Sequence, residues 1–271
     1  MRVKPPFAVA VSVLLTGSVR QTFGPPAHLP AHWIAVASPD PQADGAICAY
    51  WSDTTWDVSL TPDSTALQIA RHPGEPDIKT IDVSGGRLLG YNAGEFGGEV
   101  VFVGHDDRVT SITKQNLSFF VPSRFGVLGL GGTDHLGLNE GWLLLFKPRS
   151  NDAWAAETLM SIKGEPRAYT ALGDDTLLVV TMGTLVLLRP PSSKTVLYRT
   201  PLMSFIDPHT VVRDRAGVIY LGTRYAVTRL TPGESGYADD WIVPASCPRR
   251  VRTAETGKCA CADVQDRKSV V

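Results

Sequence analysis

Four turns in this sequence, ending at Gly98, Gly141, Asp175 and Gly217, are each followed by a short apolar run, and polar side chains recur at matched distances ahead of them. Six residues upstream stand Asn92, His135, Tyr169 and Val211; eight upstream stand Gly90, Thr133, Arg167 and His209. Residues two apart on a strand point to the same face. On strands, therefore, Asn92, Thr133, His135, Arg167, Tyr169 and His209 would form one polar surface suited to a small polar or anionic ligand. A second chemistry is open to part of the set. Imidazole is the commonest nitrogen ligand of metals, and Glu95, in the glycine-rich turn NAGEFGG, could join His135 and His209 around a divalent ion that polarises a carbonyl or activates water. Asp134 and Asp207 stand in the opposite register. The plain alternative is that these side chains only hydrate a water-filled channel, and a one-residue slip would turn all of them away from it.

The elements that would carry these residues read as strands. From Ala46 onward almost every apolar run is short and closed by Gly, Asp, Asn or Pro, and only Ala153 to Ile162 offers helical spacing. Twenty-five glycines and twenty prolines fit many tight turns. The clearest unit is Pro208 to Leu230, PHTVVRDRAGVIYLGTRYAVTRL, which reads strand, turn, strand, turn, strand. The four turns are spaced roughly 40 residues apart, the period of a four-stranded propeller blade. The shortest interval, Gly141 to Asp175, predicts a clipped outer strand. With one more unit from Trp33 to about Ile81, the expectation is an all-β protein, a β-propeller of five blades, or six if that first region divides. The last blade is expected to borrow a strand from the other chain end, bringing the lead-in beside Trp241 to Val243.

Composition excludes some classes. At 271 residues, 43% hydrophobic and 20% charged, the chain is globular, and 26 basic against 27 acidic residues advertise no field for nucleic acid. The one basic cluster, Arg249, Arg250 and Arg252, reads as solvated surface. Arg2 and Lys4, the apolar run Phe7 to Leu15, and the small Thr16 and Ser18 have the layout of a signal peptide. No run is long enough for a permanent membrane span. The expected organisation is a signal peptide over 1–18, a Pro- and His-rich linker or lead-in over 19–45, the propeller over 46–247 and a tail over 248–271, in a periplasmic or secreted monomer. Cysteines in that compartment form disulfides, and ring closure would bring Cys48 to Cys247. Cys259 and Cys261 are too close together for zinc-finger spacing. Asn116-Leu117-Ser118 matches a glycosylation acceptor, read as coincidental in an exported bacterial chain.

The stretch PHTVVRDRAGVIYLGTRYAVTRL resembles the repeats of bacterial exported propellers, and is similar to the sensor propellers of two-component systems and to gluconolactonase-like propellers. The likeness is close over Pro208 to Leu230 and diffuse over Gly85 to Arg189. It implies a propeller fold. The gluconolactonase-like enzymes hold a divalent metal through carboxylates and amides from several blades, a set not assignable here, so the resemblance leaves activity open. No phosphate loop, HExxH or GxSxG occurs. The expected function is a non-catalytic scaffold, without cofactor, that binds an envelope or extracellular protein or a small polar ligand at the channel. The alternative is a metal-assisted hydrolase or lyase, using one divalent ion at the channel mouth.

Overall fold

The computed structural model describes residues 24–261 apart from 75–77, 136, 150–152, 174, 201–205 and 254–257. The stretch read as a signal peptide therefore lies outside the described residues. A lead-in strand β1 (Trp33–Ala37) and a short helix α1 (Asp44–Tyr50) precede a hairpin, β2 (Trp56–Leu60) and β3 (Leu67–Arg71). Three four-stranded antiparallel meanders follow. The first is β4 (Ile78–Val83), β5 (Gly86–Asn92), β6 (Gly98–Gly104) and β7 (Val109–Thr113). The second is β8 (Phe119–Ser123), β9 (Gly126–His135), β10 (Leu138–Pro148) and β11 (Trp154–Lys163), and the third is β12 (Pro166–Ala171), β13 (Leu177–Thr181), β14 (Thr184–Arg189) and β15 (Ser193–Arg199). The last meander is β16 (Thr210–Arg213), β17 (Ile219–Gly222), β18 (Val227–Gly233) and β19 (Gly236–Pro244), and β1 adds to it as a fifth strand. The tail holds a small hairpin, β20 (Arg250–Arg252) and β21 (Cys259–Cys261).

The core lies between successive sheets. Leu128, Leu130, Leu143 and Leu145 of the second meander pack against Leu177, Val179, Val186 and Leu188 of the third. Leu178, Val180 and Leu185, on the other face of that third sheet, pack against Val211, Ile219, Leu221 and Leu230 of the last. Strand β13 is thus buried on both faces, which is why LLVVT is a continuous apolar run with no alternation. The β2–β3 hairpin packs on the outer face of the last sheet through Val58 and Leu67 against Tyr220, Val227 and Ile242. Leu88, Val100 and Phe102 meet Phe120, Val127, Leu144 and Phe146 between the first and second meanders. Sheets stacked face to face in chain order give a propeller-like arrangement.

Strand β1 pairs antiparallel with β19, Ile34 opposite Val243 and Val36 opposite Trp241, so the lead-in shares a sheet with the chain's last long strand as expected. Further upstream, the Ala27 amide donates to the Asp214 carboxylate (2.9 Å), which also accepts from the Val218 amide (2.9 Å) and the Tyr220 hydroxyl (3.2 Å). Asp214 is buried. Asp214→Ala should lower unfolding free energy by about 2 kcal/mol, because buried donors lose their acceptor; urea unfolding checks it.

Five expectations need correction. Ala153 to Ile162 is the outer strand β11, not a helix: a bulge opposite Leu143 and Leu144 lets Leu159 and Met160, neighbours in sequence, both pack on the core, and this broken alternation imitates helical spacing. Helix α1, which buries Ala46, Cys48 and Ala49, stands where no helix was read. The second meander is not clipped; its outer strand β11 has 10 residues. The short interval arose because Gly98 opens a third strand and Gly141 lies near the start of one, whereas Asp175 and Gly217 precede second strands. The region Trp33 to Ile81 is not one unit: it gives a strand to the last sheet, a two-stranded hairpin, and the start of β4. Finally, Cys48 pairs with Cys259 and Cys247 with Cys261, not Cys48 with Cys247. The β20–β21 hairpin sets Cys259 and Cys261 side by side on one strand face, where one meets α1 and the other the chain just past β19.

Candidate functional site

A cavity of about 400 Å³ is lined by His72, Lys79, Asn92, Leu117, Ser118, Phe119, Glu165, Arg167 and His209, among others. These residues come from every sheet of the stack. His72 directly follows β3, Lys79 lies on β4, Asn92 ends β5, Phe119 opens β8, Arg167 lies on β12 and His209 immediately precedes β16. The first strands of the four meanders converge here, carrying Lys79 and Arg167, and the turn leading into β12 supplies Glu165.

Two of the turns into first strands share a pattern. Glu165-Pro166-Arg167 enters β12 and Asp207-Pro208-His209 enters β16, each an acid, a proline and a basic residue. Proline fixes its own φ next to the acid and removes a donor that would otherwise need a partner. The Gly164–Glu165 turn sits against β9 and β10 so closely that a Cβ on Gly132 would lie 2.8 Å from the Glu165 Cα, and one on Gly141 would lie 2.3 Å from the Gly164 carbonyl oxygen. Glycine is required there for the turn to dock. Asp207 itself has a φ of 45°, a left-handed conformation that a non-glycine residue keeps only where its surroundings hold it.

The surroundings are an ion-pair chain. Arg167 Nη2 donates to Asp207 Oδ1 (2.5 Å) and its Nη1 contacts Glu165 Oε2 (3.4 Å). Arg224 Nη2 donates to Asp207 Oδ2 (2.9 Å), and His209 Nε2 approaches the same oxygen (3.4 Å). The His209 ring stacks on His72, centroids 4.5 Å apart, and His72 Nδ1 pairs with Asp57 Oδ1 (2.8 Å). Asn92 Nδ2 donates to Glu165 Oε1 (2.6 Å) and reaches Ser118 Oγ (3.4 Å).

The two acids shift in opposite directions. For Glu165 burial dominates and pushes its carboxyl above the ordinary range, against the pull of Arg167 and Asn92. Burial acts on Asp207 too, but the His209 hydrogen bond and the Arg167 charge outweigh it and hold the carboxyl well below that range. Desolvation works against the Arg167 charge, and Asp207 and Glu165 more than restore it. A folded-state pKa raised above the unfolded one means that ionised Glu165 costs stability at neutral pH, a cost that disappears as pH falls through its folded value. Glu165→Gln should therefore raise the thermal midpoint at pH 7, with the gain shrinking as pH is lowered toward 4; melting curves across that window check it.

Of the residues expected to form one polar face, Asn92, Arg167 and His209 line the cavity. Tyr169 packs between sheets, its ring 5.2 Å from Phe119 and its hydroxyl on the Phe120 carbonyl (3.3 Å); burial pushes that phenol upward. Thr133 accepts from Asn116 Nδ2 (2.8 Å), and Asn116 is buried. Glu95 and His135 do meet, Oε2 to Nε2 at 2.5 Å, but as a half-exposed pair outside the cavity lining. The three residues considered for a divalent ion are thus engaged separately, Glu95 with His135 and His209 with Asp207 and His72. Among the described residues no group of three or more His, Cys, Asp or Glu side chains is placed to hold a metal ion.

Sequence reasoning missed Glu165, His72, Lys79 and Phe119 and set Asp207 aside by register. The acid-Pro-base pattern at both turns was the signal that could have found the two acids. The split of the expected set follows from the same phase slip: Arg167, Tyr169 and Val211 lie on first strands and His209 at the entry to one, whereas Asn92, Thr133 and His135 lie on second strands.

Fold and cavity together define an all-β, propeller-like protein with a polar cavity where its sheets converge. No family model matches the chain, and no curated protein matches it. A crystal structure of a protein from Lactobacillus plantarum is similar at 12% identity and a TM-score of 0.38, over 87% of this chain and 82% of that one. At that distance the fold assignment rests on the strand order and the packing between sheets.

Proposed function

We propose that the chain is an exported five-bladed β-propeller, its first blade reduced to the β2–β3 hairpin, that binds a small polar ligand in the cavity and does no chemistry on it. The observation that carries this is the convergence of polar side chains from every sheet on one cavity, each already held by a neighbour. Pockets of 300–1,000 Å³ with a few fixed polar groups are the usual form of a small-molecule site, and groups held in place before binding lose little entropy when the ligand arrives. Export is supported by the charged, apolar, then small-residue order over 1–18 and by two disulfides, which persist in oxidising compartments.

The test reads the thermal midpoint of the purified chain against sugars, small organic acids and divalent ions. A ligand at a hundredfold excess over its dissociation constant adds roughly 2.7 kcal/mol, and Arg167→Ala should abolish the shift. A panel in which nothing moves the midpoint would overturn the reading.

A further inference from the structure

We infer that the ligand is a neutral, polyhydroxylated molecule of the size of one sugar ring, rather than an ion. This rests on the small-ligand reading above and narrows it. The guanidinium that lines the cavity, Arg167, is already neutralised by Asp207 and Glu165, His72 leans on Asp57, and the Lys79 ammonium lies over the Phe119 ring (5.7 Å). Arg224, outside the lining, shares Asp207 with it. An anion would have to compete with Asp207 and Glu165 for Arg167, and a cation with Arg167 for Glu165. A hydroxyl competes with neither. Each carboxylate oxygen has lone-pair capacity beyond the bond it accepts, and each terminal guanidinium nitrogen has a second N–H, so a hydroxyl can add to the network as donor and acceptor at once.

These are charge-assisted contacts, about twice as strong as neutral ones. Four lining residues, Asn92, Glu165, Arg167 and His209, offer such groups, as a polyol offers several hydroxyls. Part of the lining is apolar: Leu117 and Phe119 also line the cavity, Phe119 edge-on to Tyr169 and beneath the Lys79 ammonium. A ring with hydroxyls on its edge and C–H groups on its face fits such a mixed lining. The upward shift of Glu165 agrees with this, since a carboxyl held at a cost in stability is typical of a group retained for binding.

The experiment is calorimetric titration of the full chain with glucose, galactose, mannose and myo-inositol, and with succinate, citrate, phosphate and spermidine, at 50 and 500 mM NaCl. The expected result is binding of at least one neutral polyol whose affinity changes less than twofold with salt, since no net charge is screened. Glu165→Gln, with an unlowered melting point to show that it folds, should weaken that binding about tenfold. An unchanged affinity in Glu165→Gln overturns the inference by placing the polyol elsewhere. Binding only of an acid or an amine, falling with salt, overturns it too but leaves the small-ligand reading standing. Binding of nothing in either group overturns both.

Discussion

Replacing Cys48 and Cys259 together by alanine lowers the unfolding free energy by about 5 kcal/mol, the larger share expected for a crosslink that closes most of a chain. The bridge spans 211 residues, against 14 for Cys247–Cys261. In the entropic account a bridge acts by restricting the unfolded chain, and the restriction grows with the logarithm of loop length, so removing the short bridge instead costs about 3 kcal/mol. A packing contribution adds to the difference. Cys48 is fully buried on α1 beside Ala46 and Ala49, while Cys247 lies at the edge of the cluster formed by Ala46, Ile206, Tyr225 and Trp241. Guanidinium unfolding of the two double variants under oxidising conditions gives both numbers. Equal losses would mean that the hairpin acts as a local brace and that α1 is held by its own contacts.

Asp207→Asn is the second large effect. The substitution keeps shape and tolerates the left-handed backbone, which asparagine adopts more readily than most residues, so the loss measured is that of the charge. Arg167 and Arg224 are then left facing each other with no anion between them. Breaking a buried pair costs about 3–5 kcal/mol, and with each guanidinium side chain about 30% exposed screening reduces the expected loss to about 2 kcal/mol. The pH dependence identifies the cause. The Asp207 carboxyl is held below its unfolded value, so its stabilisation is complete above the ordinary carboxylate range and is lost as pH falls below it. Wild type should lose stability more steeply under acid than the variant. A parallel acid titration of both by circular dichroism decides between this and a purely steric effect. The same variant should lose affinity for the cavity ligand, since Arg167, which Asp207 orders, lines the site.

The strands of the last meander were legible because each property agreed. Asp214 to Gly217 is a turn, Val218 to Gly222 is apolar and β-rich, and Tyr225 to Leu230 resumes after a second turn, in the order in which β16, β17 and β18 are built. The pairing of the lead-in with β19 could be expected from the need to close a ring. Phase was harder. A glycine turn before an apolar run marks a second strand at Gly217 and a third strand at Gly98, and nothing local distinguishes them, because second and third strands alike are short apolar runs. The count is fixed only by recognising the hairpins of β4 with β5 and of β8 with β9, which place another strand ahead of each. The site suffered from this error. It also suffered from a search confined to strand faces, when Glu165 and Asp207 stand on the turns that deliver the chain into first strands. The disulfides had the same character: the partner of Cys48 depends on a tail hairpin that sequence pattern left undefined.

The union of β1 with β19 has a consequence in time. Strand β1 precedes the other described elements, and its partner is made about 200 residues later, a separation that adds only about 2.5 kcal/mol to loop closure relative to a ten-residue hairpin. The delay is therefore one of order more than of energy. Each intervening meander can form from neighbours already present, while Ile34 and Val36 wait with one edge of backbone unpaired and open to any extended chain. A ribosome that stops before Gly236 leaves the three middle meanders buildable and this edge uncovered. The seam thus makes the order of β1 depend on the synthesis of β19.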